Sequence, residues 1–550
     1  MRHSLLPVGL ALCALTLGCP GDDGEPAGGT MDPSTGSSGG STDGVGSSTD
    51  GSLDDTGTDS STGGTTELPE PLPPLDGVPT TVEERIEPTH VIETTPTLDP
   101  RIPELRQQLL DEGYGELELA PGEPVVDLTP GGRAPLEPGP GAAMVSRFVH
   151  LADTQIADDE SPLRLVEVDS LFISGAFRPQ ETHGCQITNA AVRTINAVHA
   201  QTPLDFVVLG GDNADSAQTN EVQWFLDILD GAPVVHCDSG DDDDLQPGPD
   251  NDPKDRFAPV GLDVPWIWVS GNHDVLVQGN FTPDTEAEAA VGSAVPPGSS
   301  TRDWSMPGGP VSMGPVVADP QRALVDTPAL LELVVASGDG HGIDAATIAS
   351  GRATYAWDLA GTDLRIVVVD STAPSSDSNG VITDTDVEER VRPLLDAAEA
   401  EGKLVLVSSH HASGTLTDGS GLGGDPVPGA LDPADWRAFL ADYPNVLAHL
   451  CGHSHVHQAE YIQPMGTRGY WEVITAAIAD WPHQMRVVEV HDQDNGWLTI
   501  TGIALDYATE DDALAADARA LGILDFTSNW VIDGAGMPQD RNVRLWVAAP

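Results

Sequence analysis

Five short apolar runs in this chain each stop at residues that can hold a cation, and that recurrence limits the possible folds more than any other feature. Phe206–Leu209 is an uninterrupted, β-branched run of buried-strand length. Gly210 and Gly211 stop it, and Asp212 follows in the segment GGDNAD, which ends at Asp215. Phe148–Ala152 ends in Asp153-Thr154-Gln155, and Pro265–Val269 ends in Ser270-Gly271-Asn272-His273-Asp274. Leu404–Val407 ends in Ser408-Ser409-His410-His411, and Val446–Leu450 in Cys451-Gly452-His453-Ser454-His455. A carboxylate just past a buried strand, on a glycine-freed turn, sits where α/β sheets gather ligands. One such turn is commonplace, but five strands delivering Asp, Asp, Asn, His and a His-x-His pair predict a single rim.

Helical patterns lie between these runs. CQITNAAVRTINAVHAQ, from Cys185, repeats Ile187, Ala191, Ile195 and Val198 at helical spacing, and PLRLVEVDSLF, from Pro162, reads as a second helix. Val222–Leu229, Pro328–Ala336 and the amphipathic stretch from Thr385 to Gly402 are further helix candidates. Helices joining strands that must lie side by side give βαβ units. The segment Thr354–Thr372 reads as a hairpin feeding a core strand, and YWEVITAA, MRVVEVHD and WLTITGIAL read as three closing strands.

In order, DTQ, GDNAD, GNHD, a histidine after a strand and GHSH resemble the motif series of the calcineurin-like metallophosphoesterases: DxH, GDxxD, GNH(D/E), His, GHxH. The resemblance spans about Ser146 to Asp506 and departs at one place, Gln155, where the family usually has His. It implies an α/β fold, the metallophosphoesterase four-layer sandwich of two mixed β-sheets flanked by helices. It also implies two divalent or trivalent ions, Mn, Fe or Zn. The first would take Asp153, Gln155, Asp212 and His455, and the second Asp212, Asn272, His410 and His453, with Asp212 bridging because one carboxylate can give an oxygen to each ion. A hydroxide made between the ions would attack phosphorus in line, hydrolysing a phosphomonoester or phosphodiester without a protein nucleophile. His273 matches the family's proton donor, and Asp215 the residue that holds it protonated. His411 and His457 each neighbour a candidate ligand but fall outside the pattern. Arg164, Asn220, Trp481 and Arg486 lie in regions that could reach the pocket. Two other readings compete: a surface lipoprotein binding module whose metal site is degenerate at Gln155, and a calcium-dependent structural lipoprotein.

Composition narrows the partners. The 550 residues carry 87 Asp and Glu against 24 Lys and Arg, a formal net charge of -63, with Lys254 and Lys403 the only lysines. Such a surface offers no basic patch to a polyanionic backbone, which argues against nucleic acid as a stable partner. Residues 1–19 read as a signal peptide whose end, Thr16-Leu17-Gly18-Cys19, resembles a bacterial lipobox. A lipid at Cys19 would be the chain's attachment to a membrane, and export to the cell envelope is expected. Residues 20–84, rich in Gly, Ser, Thr and Asp, have too few apolar groups to offset chain entropy and read as a tether. Residues 85–145 read as an N-terminal extension packed on the catalytic domain. Its helix is expected to follow a cap at Asp99-Pro100 with Ile102, Leu105 and Leu109 on one face, and Gly115–Leu128 to pair as strands. The phosphoesterase domain is placed at 146–508, with an insertion at about 275–353 expected to wall the site, and 509–550 is left as a C-terminal tail. The acidic insert Asp238–Asp255, with four consecutive Asp at 241–244, lacks the alternating ligand spacing of an EF-hand and reads as a solvated loop. Three cysteines outside the leader allow three pairings. Cys185 with Cys237 is preferred, since both flank surface segments while Cys451 lies at a buried strand end.

Overall fold

The computed structural model describes residues 68–90, 98–132, 137–169, 175–249, 251–283, 287–338, 341–421 and 424–550. The signal peptide, Cys19 and most of the tether lie outside them. Among the described residues, no helix is long and apolar enough to cross a membrane.

Among the described residues seventeen strands follow one another: β1 Glu84–Pro88, β2 Leu117–Pro121, β3 Val126–Leu128, β4 Ala143–Leu151, β5 Phe206–Leu209, β6 Trp266–Trp268, β7 Thr301–Arg302, β8 Val311–Ser312 and β9 Tyr355–Asp358. They continue with β10 Leu364–Val368, β11 Leu404–Ser408, β12 Val446–Cys451, β13 Gln458–Ile462, β14 Tyr470–Ile474, β15 Gln484–Asp492, β16 Trp497–Asp506 and β17 Val543–Ala548. Two large mixed sheets result, ordered β3-β17-β16-β15-β4-β5-β6 and β13-β14-β12-β11-β10-β9. Within them β4, β5 and β6 are parallel neighbours, as are β10, β11, β12 and β14.

The strands obey the two-residue period of side-chain direction. Leu364, Ile366 and Val368 join Phe148, Phe206 and Trp268 in the core between the sheets, while Val367, Val405 and Val407 point the other way onto Leu395, Trp436 and Leu440. Burial on both faces explains why these runs are continuously apolar instead of alternating. The sheets are pinned face to face by Phe206 against Trp357, their rings 4.9 Å apart, by the Tyr355 hydroxyl donating to the Trp268 carbonyl at 2.6 Å, and by the Trp471 indole donating to the Trp546 carbonyl. The helix Gly184–Gln201, nearly all buried, covers the outer face of the first sheet. This is the expected two-sheet α/β architecture.

Several local expectations need correction. Of the helix read from Pro162, the described residues form only a single 3₁₀ turn at Val166–Val168. The helix of the N-terminal extension begins at Pro103 with Ile102 at its cap and exposed; Arg106 and Leu109 are its buried residues. β2 does not pair with β3 but with β1, and β3 joins β17. Of the three strands read as closing the fold, β14 lies parallel to β12 in the second sheet, and only β15 and β16 pair in the first. The segment after 508, left unassigned from sequence, supplies the helix Ala513–Thr527 and β17, which pairs with β16. The acidic insert is not solvated throughout, because Asp238, Ser239, Asp252 and Lys254 are buried. Cys185 and Cys237 form a disulfide, and Cys451 is a free, buried thiol.

Candidate metal centre

Parallel strands end on the same side of a sheet, so the residues following β4, β5 and β6 are neighbours, as are those following β11 and β12. The two groups meet at one rim. His410 Nε2 lies 3.0 Å from Asp212 Oδ2 and 3.8 Å from Asp153 Oδ1, and His455 Nε2 lies 3.2 Å from Asp153 Oδ1. Donor atoms of Asp153, Asp212 and His410 fall within 4.8 Å of one another, as do those of His410, His411 and His453.

The turns carrying these side chains are strained and interlocked. Asp153, Gln155, Asp212, His453 and His455 all adopt positive φ, between 42° and 66°, a conformation that costs L-residues on the order of 1 kcal/mol each. Asp274 holds two of the turns together: its carboxylate accepts the backbone N–H groups of Asp212, Asn213, Ala214 and Gly271, at 2.8 to 3.0 Å. At Gly271 a Cβ would collide with Asp212 Oδ1, so only glycine lets the two turns approach this closely. Asp153 reaches the other sheet by accepting the His453 N–H at 3.1 Å.

Two of the imidazoles are oriented through Nδ1. His410 Nδ1 lies 2.9 Å from the Gly210 carbonyl, and His455 Nδ1 lies 2.6 Å from Asp480 Oδ2. Their Nε2 atoms are left for the rim, which is the arrangement expected of metal-binding histidines. Gln155 Oε1 and Asn272 Oδ1 are buried and make no hydrogen bond. Orphaned buried acceptors are costly unless something else satisfies them. The donor set therefore fits cations: two carboxylates, imidazole nitrogens and two amide oxygens around one rim. In the protein alone, burial disfavours charge on the histidines, but Asp212 and Asp153 outweigh it and raise His410 to about 9, while Asp153 and Asp480 raise His455 to about 10. The carboxylates thus demand positive charge at this place.

His273 lies beside the cluster, its backbone N–H donated to Asp212 Oδ1 at 2.8 Å. Its Nδ1 sits 2.7 Å from the backbone carbonyl of Asp215 and 3.4 Å from that residue's Oδ1. The expected Asp–His pair is therefore made chiefly through the main chain. The Asp215 carboxylate itself is shared by Arg164 at 2.9 Å, Gln278 at 3.3 Å and Arg178 at 3.7 Å. Burial opposes a charged His273, yet the carboxylates of Asp212 and Asp215 raise its pKa.

Of the residues read as within reach, only Arg164 touches this machinery. Asn220 donates to Asp158, Trp481 to Asp533, and Arg486 lies against His457 and the Arg541 carbonyl. Both ring nitrogens of His411 are engaged, by Ser371 and by the Ser378 carbonyl, so it offers no free lone pair. Sequence reading missed Arg178 and Asp480. The Arg178 Nε donates to Asp480 at 2.8 Å and its NH1 reaches Asp215, linking the surroundings of His455 to those of His273. The one available signal for Asp480 was an acid closing the strand-like run 470–479. The insertion contributes Gln278, and also Gly279, whose carbonyl accepts from Asn272 at 3.1 Å.

The calcineurin-like phosphoesterase family profile matches residues 146–457, more than half of the chain. The chain belongs to the calcineurin-like phosphoesterase family. That membership carries metal-dependent hydrolysis of phosphoesters as its general chemistry. Among solved structures, a dimetal phosphatase from Danio rerio is 14% identical, with 66% of this chain and 100% of that one covered at a TM-score of 0.36. Purple acid phosphatase PPD1 from yellow lupin seeds is 13% identical, with 70% of this chain and 54% of that one covered at a TM-score of 0.32. At such identities and scores these likenesses carry no argument about the reaction. No curated protein matches the chain significantly in sequence. For this phosphoesterase, then, family membership and the orphaned donors at the rim point to a metal-dependent site independently of each other.

Proposed function

We propose that this phosphoesterase is a dinuclear enzyme that hydrolyses a phosphomonoester or phosphodiester. Asp153, Gln155, Asp212 and His455 would hold one ion, and Asp212, Asn272, His410 and His453 the other. The observation that carries the reading is the pair of orphaned buried amide oxygens, Gln155 Oε1 and Asn272 Oδ1, beside carboxylates already close to imidazoles. Bound divalent ions supply Lewis acidity to a phosphoryl oxygen and lower the pKa of a water.

The chain's own residues do the rest. With Nδ1–H donated to the Asp215 carbonyl, a neutral His273 would present only a lone pair at Nε2; as imidazolium it presents an N–H there. The carboxylates of Asp212 and Asp215 favour the imidazolium, so His273 can give the Nε2 proton to a departing alkoxide. Arg164 and Arg178 keep Asp215 ionised and in place. Asp480 aims His455 through Nδ1.

Gln155 replaces an imidazole by an amide oxygen, a harder and weaker donor, so the first site should favour Mn or Fe over Zn. We further propose export and lipid anchoring at Cys19, which rests on the leader's sequence and is supported by the Cys185–Cys237 disulfide, a bond typical of oxidising compartments. The test is elemental analysis of purified protein, coupled to turnover of aryl phosphomonoesters and diesters with Mn, Fe and Zn added. Two equivalents of metal with metal-dependent turnover are expected. One equivalent at any metal concentration and no turnover, both restored by Gln155→His, would replace this reading with the degenerate binding module.

A further inference from the structure

A second cluster of carboxylates lies apart from the rim, where the acidic insert folds onto the loop that follows β4. Glu160, Asp238 and Asp243 each bring an oxygen to within 4.8 Å of the other two. The insert is fixed at its base: Val235 and Phe257 bridge its ends, and Cys237 is bonded to Cys185 in the helix Gly184–Gln201. The Asp238 side chain is only 1% exposed. Its Oδ2 accepts the Asp243 N–H at 3.2 Å, but its Oδ1 is buried without a hydrogen bond, and so is Asp243 Oδ2.

Of the lysine and arginine side chains nearby, Lys254 alone pairs with a member of the cluster, Glu160. Lys254 Nζ lies 3.0 Å from both Asp159 and Glu160, Arg322 pairs with Asp158 at 2.7 Å, and Arg256 pairs with Asp241 at 3.0 Å. His236 stands 3.7 Å from Asp238 Oδ2 and 3.4 Å from Asp241 Oδ1, and burial lowers its pKa, which leaves it a poor counter-ion. Two buried carboxylate oxygens without a donor thus belong to one cluster with Glu160, an arrangement that costs far more than a surface charge. Consistent with that excess, burial raises the Asp238 carboxyl to about 7 and that of Glu160 to about 9, in the latter case despite Lys254.

We infer that Glu160, Asp238 and Asp243 form a structural calcium site, separate from the phosphoesterase centre. The donors are all carboxylate oxygens, which suits a hard cation and excludes a preference for zinc. Calcium binds oxygen at about 2.3–2.6 Å, so oxygens that share one ion stand at most about 4.6–5.2 Å apart, and three oxygens all within 4.8 Å of one another meet that limit. Three carboxylates can give up to about six oxygens, with water completing a shell of about six to eight. A single ion here would tie the insert to the segment leading away from Gln155.

Equilibrium dialysis of the purified full chain against radioactive calcium tests the site. One calcium per chain is expected, with a Kd of about 10⁻⁴–10⁻³ M, the range of extracellular modules. Binding should persist in Asp212→Ala, which disrupts the phosphoesterase centre, and weaken by about tenfold or more in Asp238→Asn and in Asp243→Asn, since each removes ligand charge. If Asp238→Asn does not fold, the half-buried Asp243 position decides. The inference is overturned if wild type binds no calcium at about 10 mM, well above that range. It is equally overturned if Asp243→Asn binds calcium as wild type does, or if Asp212→Ala abolishes binding, which would put the ion at the other centre.

Discussion

The rim and the acidic corner both crowd carboxylates into the protein, but they do so by different means. At the rim, Asp153 and Asp212 follow parallel strands, their backbones are held at positive φ, and the amides of neighbouring turns are locked onto Asp274. Nitrogen and oxygen donors are mixed there, and each imidazole facing Asp153 is oriented through Nδ1. At the corner, Glu160, Asp238 and Asp243 come from loops, the donors are all oxygen, and a disulfide and Lys254 hold the segments together. A strained, strand-anchored site is aimed before any ion arrives, whereas a loop site can adjust to its ion. Catalysis needs the first and a structural clip needs only the second.

The largest effect should come from Asp212, the residue proposed to serve both ions. Asp212→Ala should abolish turnover and reduce metal content, while His273→Ala should keep its metals and lose about a hundredfold or more in kcat. Equal metal loss in both variants, read by elemental analysis, would mean that His273 has been given the wrong role.

Asp480→Asn weakens the orientation of His455 without touching the rim. Metal affinity or turnover should fall by about 10- to 100-fold, checked by competition with a chromogenic chelator. An unchanged affinity would make Asp480 a partner of Arg178 alone.

The imidazoles give metal binding at the rim a pH dependence. His410 and His455, raised to about 9 and about 10 in the protein alone, are protonated near neutrality, and an ion taking Nε2 must displace those protons. Affinity should therefore rise with pH and level off above about 9 to 10, at about tenfold per pH unit for each proton released. Calorimetric titration in two buffers of different ionisation enthalpy counts the protons; a count of zero would refute the scheme.

The smallest effects concern single donors. Gln155→His should tighten the first site by about tenfold, or roughly 1.4 kcal/mol, and shift it toward zinc. Asp243→Asn should leave phosphoesterase turnover within about twofold, as expected of a change away from the chemistry. A large loss there would show that the two regions are not independent.

The rim was legible in the sequence because each donor follows a continuously apolar strand, and strand ends of parallel neighbours have little choice of position. Asp153, Asp212, His410 and His455 meet for that reason. Arg178 and Asp480 were not legible, since they belong to irregular segments whose course depends on packing against residues hundreds of positions away. The cap at Ile102 shows the same limit: Asp99-Pro100 is a good start signal, but the Asp99 carboxylate accepts the N–H and guanidinium of Arg101, and the helix starts at Pro103. Asp238 read as one more acid in a polar loop. Only the disulfide and the bridge at Val235 turn it inward.

Asp153 and Asp212 extend from the first sheet, and His410 and His453 from the second. A cation held among them would act as a cross-brace between the sheets, binding the folded chain and not the unfolded one. By mass action, metal at about a hundred times its Kd would add about 2.7 kcal/mol to the resistance of the sandwich to unfolding. Melting temperature, followed as metal is withdrawn, would then report occupancy of the centre without any substrate. In a metal-poor surrounding the same brace would loosen, and survival of the protein, not only its turnover, would depend on the supply.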